Sequence, residues 1–304
     1  MLMNFLCFFF MMVFSLISVA FVTLLERKLL GYIQLRKGPN KVGVSGLFQP
    51  FSDAVKLFTK EFFFPLKANF KLFWVSPFIS FVVSVFVWVS FPYFYIILSW
   101  KFSILLVFCV MSFSVYGVMM TGWSSNSSYS ILGCLRVVAQ SISYEVSFFL
   151  LILCSLYFFN SMNLLDLSLM QVSTWFLWFM FPIFLMIMVS FLAELNRTPF
   201  DFSEGESELV SGFNVEYGGS GFAFIFLSEY LSILFASLIL SIFFMGSSLE
   251  SLTFFLKIVF ISGFIIIIRG SLPRYRYDKL MSMCWKSYLT SSLNLIMFYL
   301  SICF

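Results

Sequence analysis

The sequence predicts an all-α, polytopic membrane protein with about eight transmembrane helices and an amphipathic surface helix in its first loop. Apolar runs of roughly 20 residues, enough to cross a ~30 Å hydrocarbon core, recur along the 304 residues. Charged residues make up 11% of the chain, against about 25% in soluble domains. No stretch alternates apolar and polar residues as a barrel strand would, so helices are the spanning form that satisfies every backbone group in lipid.

The first apolar run, 3–25, has no basic leader and is too long for the core of a signal peptide. It closes on Glu26-Arg27-Lys28, which predicts a retained anchor rather than a cleaved leader. No Arg-rich amphipathic transit sequence precedes it, so a mitochondrial location implies synthesis inside the organelle. The long first loop predicts a surface helix over about 51–62. Pro50 suits a first helical turn, and Phe51, Ala54, Val55, Phe58 and Phe62 recur at helical spacing as one apolar stripe. Asp53, Lys56 and Lys60 share the polar side, so the helix either anchors in the bilayer surface or walls a lipid-facing opening.

Further spans are expected at 72–98, 102–121, 137–159, 174–193, 221–245, 252–268 and 287–304, the seventh and eighth being short. No internal repeat or linker divides the chain, so residues 1–304 read as a single transmembrane domain. The odd-numbered loops hold nine, one, one and five of the 18 Lys and Arg residues. Basic residues collect on the cytosol-like side, which places those loops there and both termini on the opposite side. Lys257, near the far end of a span, reads as a snorkelling side chain.

The chain has no histidine, the commonest ligand for transition metals. Its six cysteines form no CxxC pair and lie mostly within apolar runs, where they read as small apolar residues. Iron–sulfur ligation needs clustered thiolates. No metal or redox centre and no nucleic-acid partner is therefore expected.

The chemistry concentrates in residues 193–219, AELNRTPFDFSEGESELVSGFNVEYGG. Glu194, Asp201, Glu204, Glu206, Glu208 and Glu216 crowd there with one base, Arg197. Glu145 in the fourth span and Glu229 in the sixth each lie about eight residues below the same membrane face, or roughly 12 Å deep. Anions beside a low-dielectric medium are costly, and intramembrane carboxylates usually face a bundle interior or a water-filled cavity. Two readings stay open. The acids form a proton relay whose crowding raises some of their pKa values, or Arg136 and Arg197 neutralise them as fixed ion pairs. The loop itself reads otherwise as a solvated connection or docking surface. Pro199 disfavours helix just before it, and Gly218-Gly219 with Gly221 marks a flexible junction into the sixth span.

Four motifs, ERKLLGYIQLRKGPNKVG (26–43), GWSSNSSYSILGCLRVVAQSISYEV (122–146), the acidic loop and PRYRYDKLMSMCWK (273–286), carry a resemblance that extends over almost the whole chain. They resemble, in order, the chain 1 family of mitochondrial NADH–ubiquinone oxidoreductases, membrane subunits of respiratory complex I. One departure is Lys60-Glu61-Phe62-Phe63-Phe64-Pro65, where the family often has proline directly after the Lys-Glu pair.

The resemblance implies that the first span, the surface helix and the sixth span frame a lipid-side entrance to a ubiquinone chamber. Arg27, Arg36, Asp53, Lys56, Phe222 and Glu229 are expected along it. Glu145, Glu194, Asp201, Glu204, Glu206, Glu208, Glu216 and Glu229 match the acidic path linking quinone reduction to proton pumping, with Arg136, Arg197 and Arg274 as charge partners. Implied partners are the other membrane-arm and peripheral-arm subunits, which carry NADH, FMN and iron–sulfur clusters, together with ubiquinone and membrane lipids. The implied location is the mitochondrial inner membrane, odd loops toward the matrix and termini toward the intermembrane space. This chain, without a redox centre, is then an enzyme subunit that is inactive alone.

Two other classes compete. A cation/proton secondary transporter would show internal inverted symmetry, which the sequence lacks, and a structural anchor would use the acidic loop only to dock a basic protein.

Overall fold

A computed structural model describes residues 2–92, 100–172, 174–203, 205, 209–246, 248–249 and 251–303. Helices dominate, and no strand occurs among the described residues. Helix α1 (Leu2–Ile33) is a long apolar rod. It ends where Leu35 turns into the left-handed region and the Arg36 amide closes back on the Gly31 carbonyl at 2.8 Å. The surface helix α2 spans Gln49–Thr59. Its stripe rests partly on neighbours, with Phe51 against Phe21 of α1 at 6.1 Å between ring centroids, while Val55 and Phe58 stay exposed.

The expected end of α2 at residue 62 is corrected. Lys60 is extended, and Phe62 leaves the stripe to stack on Trp74 at 4.4 Å beside Phe64. Stacking of the Phe62 and Trp74 rings outweighs one more helical turn, and Pro65 disfavours helix in the residue before it.

Three spanning helices follow: α3 (Phe70–Val87), α4 (Ser103–Ser124) and α5 (Ser128–Phe159). Residues 93–98 of the expected second span lie outside the described residues. Helix α5 starts at Ser128, well before the expected 137, and stops at Asn160, whose left-handed backbone returns its amide to Leu156. The fifth apolar run is not one helix. Two short helices, α6 (Leu164–Met170) and α7 (Phe176–Phe179), precede α8 (Phe181–Glu194). Uniform hydropathy from 174 hides this break, which Pro182 in the first turn of α8 marks.

Helix α9 (Gly219–Leu240) opens on Gly219 at φ +56 and continues as a π-helical turn over Ser241–Met245. Helix α10 (Leu252–Ser271) and α11 (Tyr277–Ser282) follow; a second π turn then leads into α12 (Leu289–Cys303). Among the described residues six helices are long and apolar enough to cross a membrane: α1, α3, α4, α5, α9 with its π turn, and α10. Of the eight expected spans, the fifth is shorter, and the eighth is the helical run ending at Cys303.

Helix α9 is central, packing on α1, α2, α3 and α10, while α5 packs on α4, α8 and α12. A large core joins Tyr144, Phe148 and Leu151 of α5 to Ile187 and Phe191 of α8 and Leu231 of α9. A smaller one, Phe73, Phe213, Tyr217 and Ile225, lies beneath the end of the acidic loop. Lys257 reaches the end of the neighbouring helix. Its ammonium donates to the carbonyls of Met245 (2.9 Å) and Gly246 (2.5 Å) and sits 4.4 Å from the Trp175 ring. The π turn frees those carbonyls at the helix end, and the lysine is the donor that satisfies them.

Candidate functional site: charge clusters around the 193–219 loop

The loop after α8 is fastened before any of its acids is placed. Gln140, fully buried on α5, donates its amide to the carbonyls of Ala193 (2.7 Å) and Phe200 (3.0 Å), clamping both sides of the turn. The Tyr275 amide donates to the Pro199 carbonyl at 2.9 Å, joining this loop to the one before α11. At the far end, the Tyr217 hydroxyl meets Ser124 at 2.8 Å and Ser76 at 3.0 Å, and its ring stacks on Phe73 at 4.2 Å. Burial raises the Tyr217 phenol above its ordinary range, while its hydrogen bonds to Ser124 and Ser76 pull it partly back. Gly133 lets this end approach α5, since a β-carbon there would stand 3.2 Å from the Phe213 amide nitrogen.

On this frame the acids divide into three groups. Arg197, buried, pairs with Glu229 of α9 at 3.3 Å and lies 4.9 Å from the centre of the Tyr230 ring. Tyr230 in turn donates to Glu26 of α1 at 2.5 Å, and Arg269 of α10 closes an ion pair with the same carboxylate. Asp201, buried, pairs with Arg274 at 3.5 Å and accepts from Ser203 at 3.2 Å. Glu145 and Glu194 form the third group, close enough to interact electrostatically. Among the described residues no base pairs with either of them.

Glu145 also lines a cavity of about 330 Å³ between α4 and α5, walled by Phe108, Ile142, Val146, Phe149 and Leu150. Glu216 is half-buried beside Tyr217. Glu204, Glu206 and Glu208 lie outside the described residues. Arg136 is half-buried on α5. The expected entrance residues are not all in contact. Arg27 and Asp53 pair at 2.5 Å, tying α1 to α2. Arg36 donates to Gln34 at the exposed end of α1, and Lys56 is exposed on α2. Phe222 lies against Phe226 along α9, the rings tilted by 45°, about two turns from Glu229.

Sequence reasoning missed Glu26, Tyr230, Arg269 and Gln140. Their partners are up to 243 residues away, beyond the reach of any local pattern. The one available signal was Glu26 itself, a lone acid heading the basic first loop. Among the described residues no group of three histidine, cysteine or carboxylate side chains is arranged to hold a metal ion.

The family model for NADH dehydrogenase matches residues 6–300. The chain belongs to the NADH dehydrogenase family. It is 54% identical over 287 residues to the NADH-ubiquinone oxidoreductase chain 1 of Aedes aegypti, covering 94% of this chain and 92% of that one. The Artemia franciscana chain 1 is 52% identical over 296 residues, covering 97% of both. The Metridium senile chain 1 is 46% identical over 300 residues, covering 95% of this chain and 90% of that one. The resemblance drawn from four motifs thus holds along nearly the full length of this family member.

Proposed function

We propose that this chain is a membrane subunit of NADH:ubiquinone oxidoreductase in the mitochondrial inner membrane. In this reading residues 1–304 form one transmembrane domain of eight spans, odd loops toward the matrix and termini toward the intermembrane space. It forms much of the quinone chamber, and its acids connect quinone reduction to proton translocation in neighbouring subunits. Its relatives' names support the enzyme, and the distribution of lysine and arginine supports the orientation.

The observation that carries the coupling role is the division among the carboxylates. Glu229 and Asp201 are held by guanidinium groups, whereas among the described residues no base pairs with Glu145 or Glu194, which lie close enough to interact electrostatically. A carboxylate beside an arginine stays charged, and two apposed carboxylates in a poorly hydrated site favour sharing a proton. The paired acids then set a fixed field and the unpaired ones carry protons, so each of the two readings open from sequence describes part of the cluster.

Ubiquinone is too apolar to leave the bilayer and enters sideways, between α1, α2 and α9. The aromatic contacts of Phe51 on Phe21 and of Phe58 on Phe224 brace α2 across the other two helices there. Arg27, Arg36, Asp53, Lys56, Phe222 and Glu229 belong to that route. Partner subunits of the peripheral arm supply the electrons from NADH through FMN and iron–sulfur clusters. Reduction to the quinol takes up two electrons and two protons; drawing those protons from groups beside the chamber leaves negative charge there, and this shifts the protonation of Glu194 and Glu145. The Glu145 cavity, opening between α4 and α5, is where the path leaves this chain for the next membrane subunit.

The test is Glu194→Gln and Asp201→Asn in the assembled enzyme, with quinone reduction and proton translocation measured together in sealed vesicles. Loss or uncoupling of turnover is expected. Full, inhibitor-sensitive and coupled activity in both variants refutes the path.

A further inference from the structure

The charge cluster reaches back to a residue that the proton path does not use. Glu26 on α1 is 5% exposed, and a carboxylate so deeply buried is costly unless both oxygens are occupied. Here they are: one accepts from Tyr230 of α9 at 2.5 Å, and the other pairs with Arg269 of α10. The next residue, Arg27, points elsewhere. Its side chain is half exposed and pairs with Asp53 of α2 at 2.5 Å. Consecutive helical residues diverge by about 100°, so this pair of neighbours on α1 grips α2 with one side chain and α9 and α10 with the other.

Tyr230 adjoins Glu229, and Arg197 touches both, pairing with the carboxylate and lying over the ring. A continuous chain of contacts therefore runs from the α1–α2 edge through Glu26 and Tyr230 to the Arg197–Glu229 pair. A buried ion pair adds little net stability over an apolar replacement of the same shape. What it supplies is direction, because a carboxylate held on two sides fixes where the tyrosine hydroxyl points.

We propose that Glu26 is a positioning residue that sets the α1–α2–α9 opening for quinone and ties its geometry to the Arg197–Glu229 pair. The proposal rests on the reading of that opening as the quinone entrance. Glu26 touches no reacting atom in this role; it acts through Tyr230.

The experiment uses the assembled enzyme in inner-membrane vesicles carrying Glu26→Gln, Tyr230→Phe or both, with a long-tailed ubiquinone as substrate. Tyr230→Phe removes the hydroxyl link, and Glu26→Gln weakens that link together with the Arg269 pair, so KM for the quinone rises roughly three- to tenfold in each. Assembled enzyme and electron transfer to a water-soluble acceptor in the peripheral arm stay at parental levels. The double variant is no worse than the more affected single, since both changes break the same link.

A merely structural residue would lower assembly and kcat together and leave KM alone, which overturns the proposal, as does a double variant whose effects multiply. If Glu26→Gln does not assemble, Tyr230→Phe, which removes one oxygen, carries the same test. A photoreactive quinone applied to the parent enzyme separates this inference from the one beneath it. Labelling in α1, α2 or α9 with an unshifted KM in the variants overturns the positioning role alone. Labelling confined to other subunits overturns the entrance, and the positioning role with it.

Discussion

Arg197→Met tests the fixed-field half of the cluster most directly. The guanidinium is buried and Glu229 keeps only 21% of its side chain exposed, so the substitution removes the Arg197 cation from a poorly hydrated carboxylate. Breaking a buried pair from one side costs about 3–5 kcal/mol. The partial exposure of Glu229 sets the expectation near the low end, about 3 kcal/mol, or a factor of about a hundred in an equilibrium. The effect should appear as local opening of the turn at 193–203, which Arg197 ties to α9, rather than as global unfolding. Hydrogen exchange of those backbone amides in the assembled enzyme reads it, with protection falling about a hundredfold. Glu229→Gln costs less, because Arg197 keeps its contact with the Tyr230 ring. The double variant Arg197→Met/Glu229→Gln should recover most of the protection, as it buries no orphan charge. Unchanged exchange in Arg197→Met, or a double variant worse than both singles, refutes the reasoning.

Other substitutions probe the frame around that pair. Gln140→Leu strips hydrogen bonds from the buried carbonyls of Ala193 and Phe200, costing about 2–4 kcal/mol, and should speed proteolysis of the 193–203 turn. Gly133→Ala places a methyl 3.2–3.3 Å from backbone atoms of Gly212 and Phe213, so overpacking of about 1–3 kcal/mol should lower the yield of assembled enzyme. Tyr217→Phe removes a hydroxyl shared by Ser76 and Ser124 and should cost about 1–2 kcal/mol in thermal inactivation assays, without moving KM for quinone. Arg27→Gln breaks a half-exposed pair and should cost under about 1 kcal/mol of stability while raising KM for quinone.

Long apolar runs made the helical membrane class legible because hydrophobic matching to the bilayer is a property of composition. The same averaging hid the breaks. Residues 174–193 are uniformly apolar, yet the chain turns at Met180 and restarts with Pro182, a local backbone event that hydropathy does not register. Phe62 fitted the α2 stripe by spacing and left it for Trp74, a tertiary contact that overrides periodicity. Lys257 illustrates the same limit. A basic residue near a span end usually snorkels, and the π turn of α9 supplies its ammonium with carbonyl acceptors that no sequence pattern announced. Of the site, the acids were legible because each is anomalous in lipid. Their division into paired and unpaired members was not, since Arg274 reaches Asp201 across 73 residues and Arg269 reaches Glu26 across 243.

Under the proposed reading, that division gives acids of one kind two different roles. A carboxylate serves as a proton carrier only if its charge state changes during turnover, and it serves as a reference field only if its charge does not. Both demands fall on the same residue type within a few turns of helix, so sequence identity cannot distinguish the two roles and geometry must. Arg197 pairs with Glu229 and Arg274 with Asp201. In the proposed reading the proton carriers are Glu145 and Glu194, which sit on the packed helices α5 and α8 with no base paired to them among the described residues. Moving a base across this boundary should convert one role into the other. Ile142→Lys, in the lining of the same cavity as Glu145, would bring a cation toward that pair. The expected outcome is an enzyme that still reduces quinone but translocates fewer protons per electron, measured by vesicle acidification against NADH oxidation. An unchanged ratio in a well-assembled variant would place the titrating groups elsewhere.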